Sequence, residues 1–247
     1  MKKILASLFI LSILFAGCEK DITTEDVSQI TYFANFTVEG ESLIYHDLGT
    51  PYTDAAVTAE EDGQELPVEV SVSGEITGYS GTTVNTDVMD KYVISYSAIN
   101  SDGFPAAATR TVVVGKSGDL VNSIEGVYTS SVQRAPAFAA SDQYNDMEYI
   151  FITKTGDNTY EISGAIGGYY YIGRDYGYAY AAQGAVITAN SIPANDFSIT
   201  QASIPGFGLD IDITNFTVDP DSKMITFTGA GDFGDGEFHV QLKQIQY

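Results

Sequence analysis

The chain has 247 residues, of which 33 are Asp or Glu and 11 are Lys or Arg, so its formal net charge is −22. Binding to nucleic acid requires clustered basic side chains, so this acidity excludes nucleic acid as a partner. The single cysteine excludes an internal disulfide, and packed cores alone must hold the fold together. The length is typical of two domains of ordinary size.

The first 17 residues have the three-part pattern of a secretory signal peptide. Two lysines precede an apolar run over residues 4–15, and the small residues Ala16 and Gly17 follow. The apolar run is too short to span a bilayer as a permanent helix. Residues 14–18, Leu-Phe-Ala-Gly-Cys, resemble the bacterial lipobox. This resemblance implies that the chain is cut before Cys18 and acylated on its sulfur, so we expect the membrane to be a partner through this lipid.

Residues 18–29 are polar and short of core residues, as is typical of a solvated tether. Within this tether, Glu19-Lys20-Asp21 resembles, in part, the lysine-plus-acid signal with which Bacteroidota send lipoproteins to the outer face of the outer membrane. The resemblance implies an outer-membrane location that faces the cell exterior.

Three segments in the N-terminal half alternate or are β-branched between Gly, Asn and Asp turns, which predicts strands at residues 68–72, 92–96 and 109–114. Tyr92, Ile94 and Tyr96 would share one face of their strand and pack across a sandwich. No segment after residue 18 has a sustained helical stripe with caps, so the sequence predicts an all-β protein.

The same half contains three motifs in a fixed order, LGTPYTDA at residues 48–55, YVISYSA at 92–98 and ATRTVVV at 108–114. In this order and spacing they resemble the bacterial surface immunoglobulin-like domain. The resemblance covers residues 30–115 and implies an immunoglobulin-like β-sandwich of the kind that mostly acts as a spacer. In such a domain Tyr52 and Asp54 would be structural residues.

A small polar stretch at residues 115–119, Gly-Lys-Ser-Gly-Asp, marks the predicted domain boundary, and its two glycines predict a flexible hinge. The C-terminal domain, residues 120–247, has predicted strands at residues 149–153, 159–162, 197–201, 211–218, 224–228 and 237–245. Their regular spacing predicts an antiparallel sheet closed into a β-barrel or a β-sandwich.

The layout of lipobox, immunoglobulin-like domain and C-terminal β domain resembles the small accessory lipoproteins of nutrient-uptake loci in Bacteroidota. The resemblance implies a TonB-dependent transporter and its SusD-like lipoprotein as partners, and a glycan or a peptide as the ligand. The alternative is a structural or docking subunit that binds its transporter and no nutrient. The absence of Trp counts against a glycan, because sugar platforms use large aromatic faces, although Tyr can substitute.

Six of the 17 tyrosines lie between residues 169 and 180, beside several glycines. Tyrosine combines a flat apolar face with a polar tip, which suits binding surfaces. One interpretation is a hairpin with cross-strand tyrosine pairs and one row turned inward, which would leave the other row and Tyr170 free. The glycines favour ligand binding, because a buried strand rarely contains so many. Arg174 could hold a carboxylate. The candidate ligand-binding residues are Tyr169, Tyr170, Tyr171, Arg174, Tyr176, Tyr178 and Tyr180.

Signatures of catalysis, cofactors and metals are weak. Residues 229–234 satisfy a GxGxxG pattern, but the 13 residues that follow read as a strand, so we predict a hairpin turn. His46 and His239 fall in different predicted domains, without a second His or Cys at metal-ligand spacing. Acids between residues 210 and 237 could form a glycosidase pair or a calcium site, yet such pairs arise by chance among 33 acids. We therefore predict a protein that is not an enzyme, with no cofactor and no metal.

Overall fold

The computed structural model describes residues 31–247, so the predicted signal peptide and Cys18 lie outside the described residues. Strands account for 49% and helix for 3% of the structure, which confirms the all-β prediction. The helical elements of the described part are two short 3-10 helices, Asp142–Tyr144 and Tyr178–Tyr180. Between residues 31 and 247, no helix has the length and apolar character that crossing a membrane would need.

The first eight strands form a three-stranded and a five-stranded sheet that pack on each other as a sandwich. The strands are β1 (Asn35–Val38), β2 (Leu43–Asp47), β3 (Val57–Glu61), β4 (Gln64–Leu66), β5 (Glu69–Gly74), β6 (Ser80–Gly81), β7 (Asp90–Ile99) and β8 (Pro105–Gly115). The sheets have the orders β1-β3-β4 and β2-β8-β7-β5-β6, and the pair β2-β8 is parallel while the other pairs are antiparallel.

The core of the sandwich follows the period-two pattern of β7. Tyr92, Ile94 and Tyr96 are buried, while the residues between them are half-buried, which confirms the predicted inward face. Val112 and Val114 of β8 join the same cluster. Alternating side chains of two central strands therefore carry most of the apolar burial in this domain.

A charged network crosses the same core. Arg110 is 1% exposed, and its guanidinium forms an ion pair with the carboxylate of Asp54. The hydroxyl of Tyr52 donates to Asp54 Oδ1 at 2.8 Å, and the hydroxyl of Tyr96 donates to Oδ2. Arg110 Nε also donates to the carbonyl of Glu41 at 3.0 Å. Tyr52 and Asp54 thus have hydrogen-bonding partners inside the fold that match the structural role expected of them.

A hydrophobic cluster joins the sandwich to the C-terminal domain. Met89 and Val113 of the sandwich are buried against Val127 and Tyr149, which follow the predicted boundary. The hydroxyl groups of Tyr45 and Tyr149 lie 2.9 Å apart across the same junction. The two domains therefore share buried apolar surface.

The linker at residues 115–119 is held by hydrogen bonds on both sides. The backbone N–H of Gly118 donates to the carbonyl of Glu125 at 2.7 Å, and Ser117 Oγ donates to the carbonyl of Ile245 at 3.1 Å. The carboxylate of Asp119 accepts from the three backbone amides at positions 121–123. The linker is therefore not the flexible hinge that its two glycines predict.

The C-terminal domain is one nine-stranded antiparallel sheet. The strands are β9 (Gly126–Arg134), β10 (Met147–Lys154), β11 (Thr159–Ile162), β12 (Val186–Ser191), β13 (Asp196–Ile199), β14 (Ala202–Ile204), β15 (Leu209–Asp219), β16 (Met224–Ala230) and β17 (Glu237–Gln244). Their order in the sheet is β13-β12-β11-β10-β9-β17-β16-β15-β14. Residues 231–236 join the antiparallel strands β16 and β17, as the predicted hairpin turn requires.

The sheet is curled, and its two outermost strands lie close together. Only residues 200 and 201 separate β13 from β14 in the chain. A single antiparallel bridge between Gln183, just before β12, and Ser203 of β14 connects the two ends of the sheet. One continuous apolar cluster fills the interior. Of the two predicted architectures, the domain is closer to the barrel than to a two-sheet sandwich.

Candidate functional site

The tyrosine-rich segment lies between β11 and β12, at residues 163–185, and its first part fills the interior of the curled sheet. Every residue from 162 to 171 is buried, although none of residues 163–171 belongs to a strand. Gly167 has a φ of +61°. A Cβ at this position would lie 2.6 Å from Ser130 Oγ and 2.7 Å from side-chain carbons of Val132 and Val240. The glycine is required both by its left-handed backbone and by its close approach to β9 and β17.

The hairpin predicted for this segment is wrong. Tyr169, Tyr170 and Tyr171 are buried in the main core of the domain, in a series of turns. The expectation that Tyr170 is free for a ligand is also wrong, because its ring packs against Phe238 with a centroid separation of 6.0 Å. Tyr171 donates its hydroxyl to the carbonyl of Tyr149 at 2.6 Å, and burial raises its pKa well above the ordinary value.

The second part of the segment reaches the surface. Arg174 is exposed, Tyr176 is 47% exposed, and Tyr178 and Tyr180 are half-buried in the second 3-10 helix. Burial raises the pKa of Tyr178 to about 12. The predicted site residues therefore divide into a buried group, Tyr169 to Tyr171, and a group at the surface.

A distant turn completes this surface. Phe207, in the turn after β14, is 42% exposed, and its ring lies 4.8 Å from that of Tyr180 and 5.0 Å from that of Tyr170. The ring of Tyr176 lies 5.4 Å from Tyr180. We call Arg174, Tyr176, Tyr180 and Phe207 the aromatic patch. Sequence reasoning missed Phe207, whose signal was an aromatic residue between two turn glycines, 27 positions after Tyr180.

Two arginines lie over the buried tyrosines beneath this patch. The guanidinium carbons of Arg134 and Arg174 lie 5.5 and 5.2 Å from the ring centroid of Tyr169, and 5.8 and 5.6 Å from that of Tyr170. All four distances are within the range of cation–π attraction. Sequence reasoning also missed Arg134, although the whole chain contains only three arginines.

Hydrogen bonds fix the position of Arg174. Its Nε donates to the hydroxyl of Tyr144 and its Nη2 to the hydroxyl of Tyr169, both at 3.2 Å, while the two rings stack at 4.2 Å. Burial alone would raise the pKa of Tyr169, but hydrogen bonds with Tyr144, Arg134 and Arg174 outweigh it and lower the pKa. The hydrogen bond with Tyr144 and those with neighbouring tyrosines raise the pKa of Arg174, so its charge is permanent.

Within residues 31–247, neither Arg134 nor Arg174 forms an ion pair with a carboxylate. Their hydrogen-bond acceptors are tyrosine hydroxyls and, for Arg134, the carbonyls of Asp235 (2.7 Å) and Gly234 (3.4 Å). The patch thus combines uncompensated positive charge with exposed aromatic faces, on a protein whose net charge is strongly negative. Such a surface can bind a ligand that carries both a carboxylate and an apolar face.

The remaining candidate groups have local partners. His46 contacts Thr50 and His239 contacts Glu237, both within 3.0 Å, and the two histidines lie in different domains. The carboxylate of Asp219 accepts hydrogen bonds within its own turn. In the part of the chain that the structure describes, no three His, Cys, Asp or Glu side chains lie together as a metal site would require.

Comparisons with known proteins agree with this architecture. Residues 36–114 match the family model of the bacterial surface protein, Ig-like domain. The crystal structure of the lipoprotein BT2262 from Bacteroides thetaiotaomicron matches with a TM-score of 0.59 and 25% identity, over 86% of this chain and 100% of that chain. A family model of a C-terminal domain matches residues 117–244, slightly more than half of the chain. The chain belongs to the family of this C-terminal domain model and is similar to a Bacteroides lipoprotein.

No curated protein matches the chain. Neither family description names a catalytic activity. The predicted resemblance to an immunoglobulin-like domain over residues 30–115 is confirmed by the family match over residues 36–114.

Proposed function

We propose that this surface lipoprotein captures a carboxylate-bearing glycan or peptide at the aromatic patch. The protein is held by a lipid on Cys18 at the outer membrane, and it delivers its ligand to a TonB-dependent transporter with a SusD-like partner. In this role it is a non-catalytic accessory subunit. The single observation that carries the proposal is the pair of arginines without a carboxylate partner in residues 31–247, next to exposed Tyr176 and Phe207.

The electrostatics favour an acidic ligand at this one place. A permanent guanidinium charge that lacks an ion-pair partner gains most from a carboxylate, because the planar fork can donate two parallel hydrogen bonds. The rings of Tyr176 and Phe207 add apolar contact of the kind that dominates binding hot spots. The negative charge elsewhere on the protein opposes non-specific attachment of the same ligand, so recognition would depend on the patch.

The test is calorimetric binding of an oligogalacturonate, an acidic glycan, and of an acidic peptide, with a neutral oligogalactoside for comparison. Arg174→Gln should weaken binding of the acidic probe by about 10- to 100-fold, since hydrogen bonds to charged groups contribute about 1.5–3 kcal/mol. Tyr176→Ala should weaken it by about 10-fold.

The matched control is Lys154→Gln, which removes an exposed charge from the same domain outside the patch and should leave the affinity unchanged. Equal binding by Arg174→Gln and the wild type would contradict the proposal. Failure of the wild type to bind either acidic probe would favour the docking subunit, which binds its transporter and no nutrient.

The anchor has a separate test. Cys18→Ser removes the sulfur that would be acylated, so the protein should leave the membrane fraction, because acyl chains are its proposed attachment. Mass spectrometry of the wild-type N-terminal peptide should show the lipid. Unchanged membrane fractionation of the variant would contradict anchoring at Cys18.

A further inference from the structure

The N-terminal sandwich exposes four large apolar side chains at one end. Ile99 is 62% and Phe33 is 60% exposed, and Tyr32 and Phe104 are each about half exposed. The rings of Phe33 and Phe104 lie 5.9 Å apart. We call these four residues the apolar pole. Exposed apolar side chains that lie at the same end of a domain mark an interaction surface, whereas scattered single ones need no explanation.

A buried asparagine holds the pole in place. Asn100 is buried, its Nδ2 donates to the carbonyl of Tyr32 at 2.7 Å, and its Oδ1 accepts from the N–H of Phe104 at 2.6 Å. The backbone N–H of Asn100 also donates to the carbonyl of Phe104 at 3.1 Å. The incoming chain and the β7–β8 turn are therefore fixed to each other, and the apolar side chains are presented by an ordered scaffold.

The apolar pole lies far from the C-terminal domain. Strand β8 starts at Pro105, beside the pole, and ends at Gly115, beside the C-terminal domain. Ten steps at ~3.3 Å separate the two ends by about 33 Å. The pole is thus at the end of the sandwich remote from the ligand-capturing domain, and the chain enters the fold there.

We propose that the apolar pole rests in the interfacial region of the lipid bilayer that holds the protein. Tyr32 follows Cys18 by 14 residues, a span of at most about 50 Å, so a lipid on Cys18 keeps this end of the molecule near the bilayer. Tethering makes the second contact effectively intramolecular, so even a small apolar surface suffices. Aromatic side chains are enriched at membrane interfaces, where one part of the ring system is apolar and another is wet. The inference rests on the proposed anchor at Cys18.

Negative charge beside the apolar pole limits how deeply the pole can enter the bilayer and which lipids it can contact. Glu61 accepts hydrogen bonds from Ser101 N and Oγ, both at 2.8 Å, and Asp102 is exposed on the same turn. Carboxylates remain in water, so the pole would enter only the headgroup region. Contact should be weaker on anionic than on zwitterionic membranes, because like charges repel at the surface.

The experiment uses the full-length protein, purified from membranes and reconstituted into phosphatidylcholine vesicles. Because the chain contains no Trp, Phe104→Trp provides a single fluorescent reporter at the pole, and Phe207→Trp provides a matched reporter on the other domain. With brominated lipid, Phe104→Trp should show blue-shifted emission and several-fold stronger quenching than Phe207→Trp. Adding phosphatidylglycerol should reduce that quenching.

A second substitution separates insertion from mere proximity. Ile99→Glu in the Phe104→Trp background adds a charge at an exposed position, so it should remove most of the quenching while the protein still floats with the vesicles. Floating Phe104→Trp protein without quenching, or quenching that Ile99→Glu leaves unchanged, would overturn the inference. A blue shift that depends on protein concentration and not on lipid would also overturn it, because the pole would then meet a second copy. Failure to float would contradict the anchor at Cys18 and overturn this inference, whereas ligand capture at the aromatic patch would still be decided by the calorimetric test.

Discussion

Arginine and tyrosine side chains contact each other in two regions of this molecule, but the arginine has a carboxylate partner in only one of them. In the sandwich, Arg110 and the hydroxyl groups of Tyr52 and Tyr96 converge on one carboxylate, that of Asp54. In the C-terminal domain, Arg174 meets only tyrosine hydroxyls and ring faces. The first charge is neutralised inside the fold, and the second remains available at the surface. A carboxylate within the cluster is the difference between a structural network and a candidate binding site.

Replacing the arginines separates the two regions most strongly. Arg110→Met should lower the free energy of unfolding by about 3–5 kcal/mol, because it removes one partner of a buried ion pair and leaves Asp54 uncompensated. Arg174→Met is the matched substitution at the surface and should change it by about 0.5 kcal/mol or less. Urea denaturation of both variants measures the difference. Similar losses in the two variants would show that Arg174 is also structural.

The next largest effect concerns the support of the aromatic patch. Gly167→Ala should cost about 1–3 kcal/mol in the free energy of unfolding, because the new methyl group overlaps β9 and β17 and the backbone is left-handed. Gly177→Ala is the control, since its φ of +86° is similar but no atom lies within 4 Å of the added carbon. If packing matters, thermal denaturation will show a larger loss for Gly167→Ala. Equal losses in the two variants would mean that the left-handed backbone conformation alone causes the loss of stability.

The smallest effect is the pH dependence of the Arg110–Asp54 pair. Burial alone would raise the pKa of Asp54, but hydrogen bonds from Tyr96, Tyr52 and Arg110 lower it overall. Its ionised form therefore stabilises the fold above the unfolded pKa of about 3.9, and this contribution is lost as the pH falls through the lower folded pKa. The gap in unfolding free energy between wild type and Arg110→Met should be constant from pH 7 to 5 and shrink below about pH 4, by about 1.4 kcal/mol per unit of depression. A gap that stays constant to pH 2 would contradict the assignment.

Strands were predictable from the sequence where burial alternates with the two-residue period of the backbone. Tyr92, Ile94 and Tyr96 alternate with half-buried residues, and β11 begins and ends at the residues that the sequence predicts. This agreement has a simple cause, because side chains two apart on a strand point to the same face.

The tyrosine segment was not predictable in the same way. The number of glycines argues against a buried strand, yet Gly167 allows the chain to lie inside the curled sheet as a series of turns. The same local sequence is compatible with a hairpin or with a buried series of turns. The buried turns are favoured because they fill the interior of the curled sheet, next to β9 and β17. Arg134 and Phe207 come to the site from elements 35 or more and 27 residues away from the tyrosines, and no local pattern links them.

The junction between the domains has a mechanical consequence. Met89 and Val113 are locked against Val127 and Tyr149, and the ring of Tyr247 stacks on that of Tyr45 at 5.2 Å. The buried cluster and the hydrogen-bonded linker restrict bending between the two domains, so we expect them to move as one rigid unit. If the aromatic patch binds a ligand as proposed, a pull on that ligand would be carried along β8 to the opposite end of the sandwich. The proposed attachment at that end would then bear the load and set the tilt of the aromatic patch.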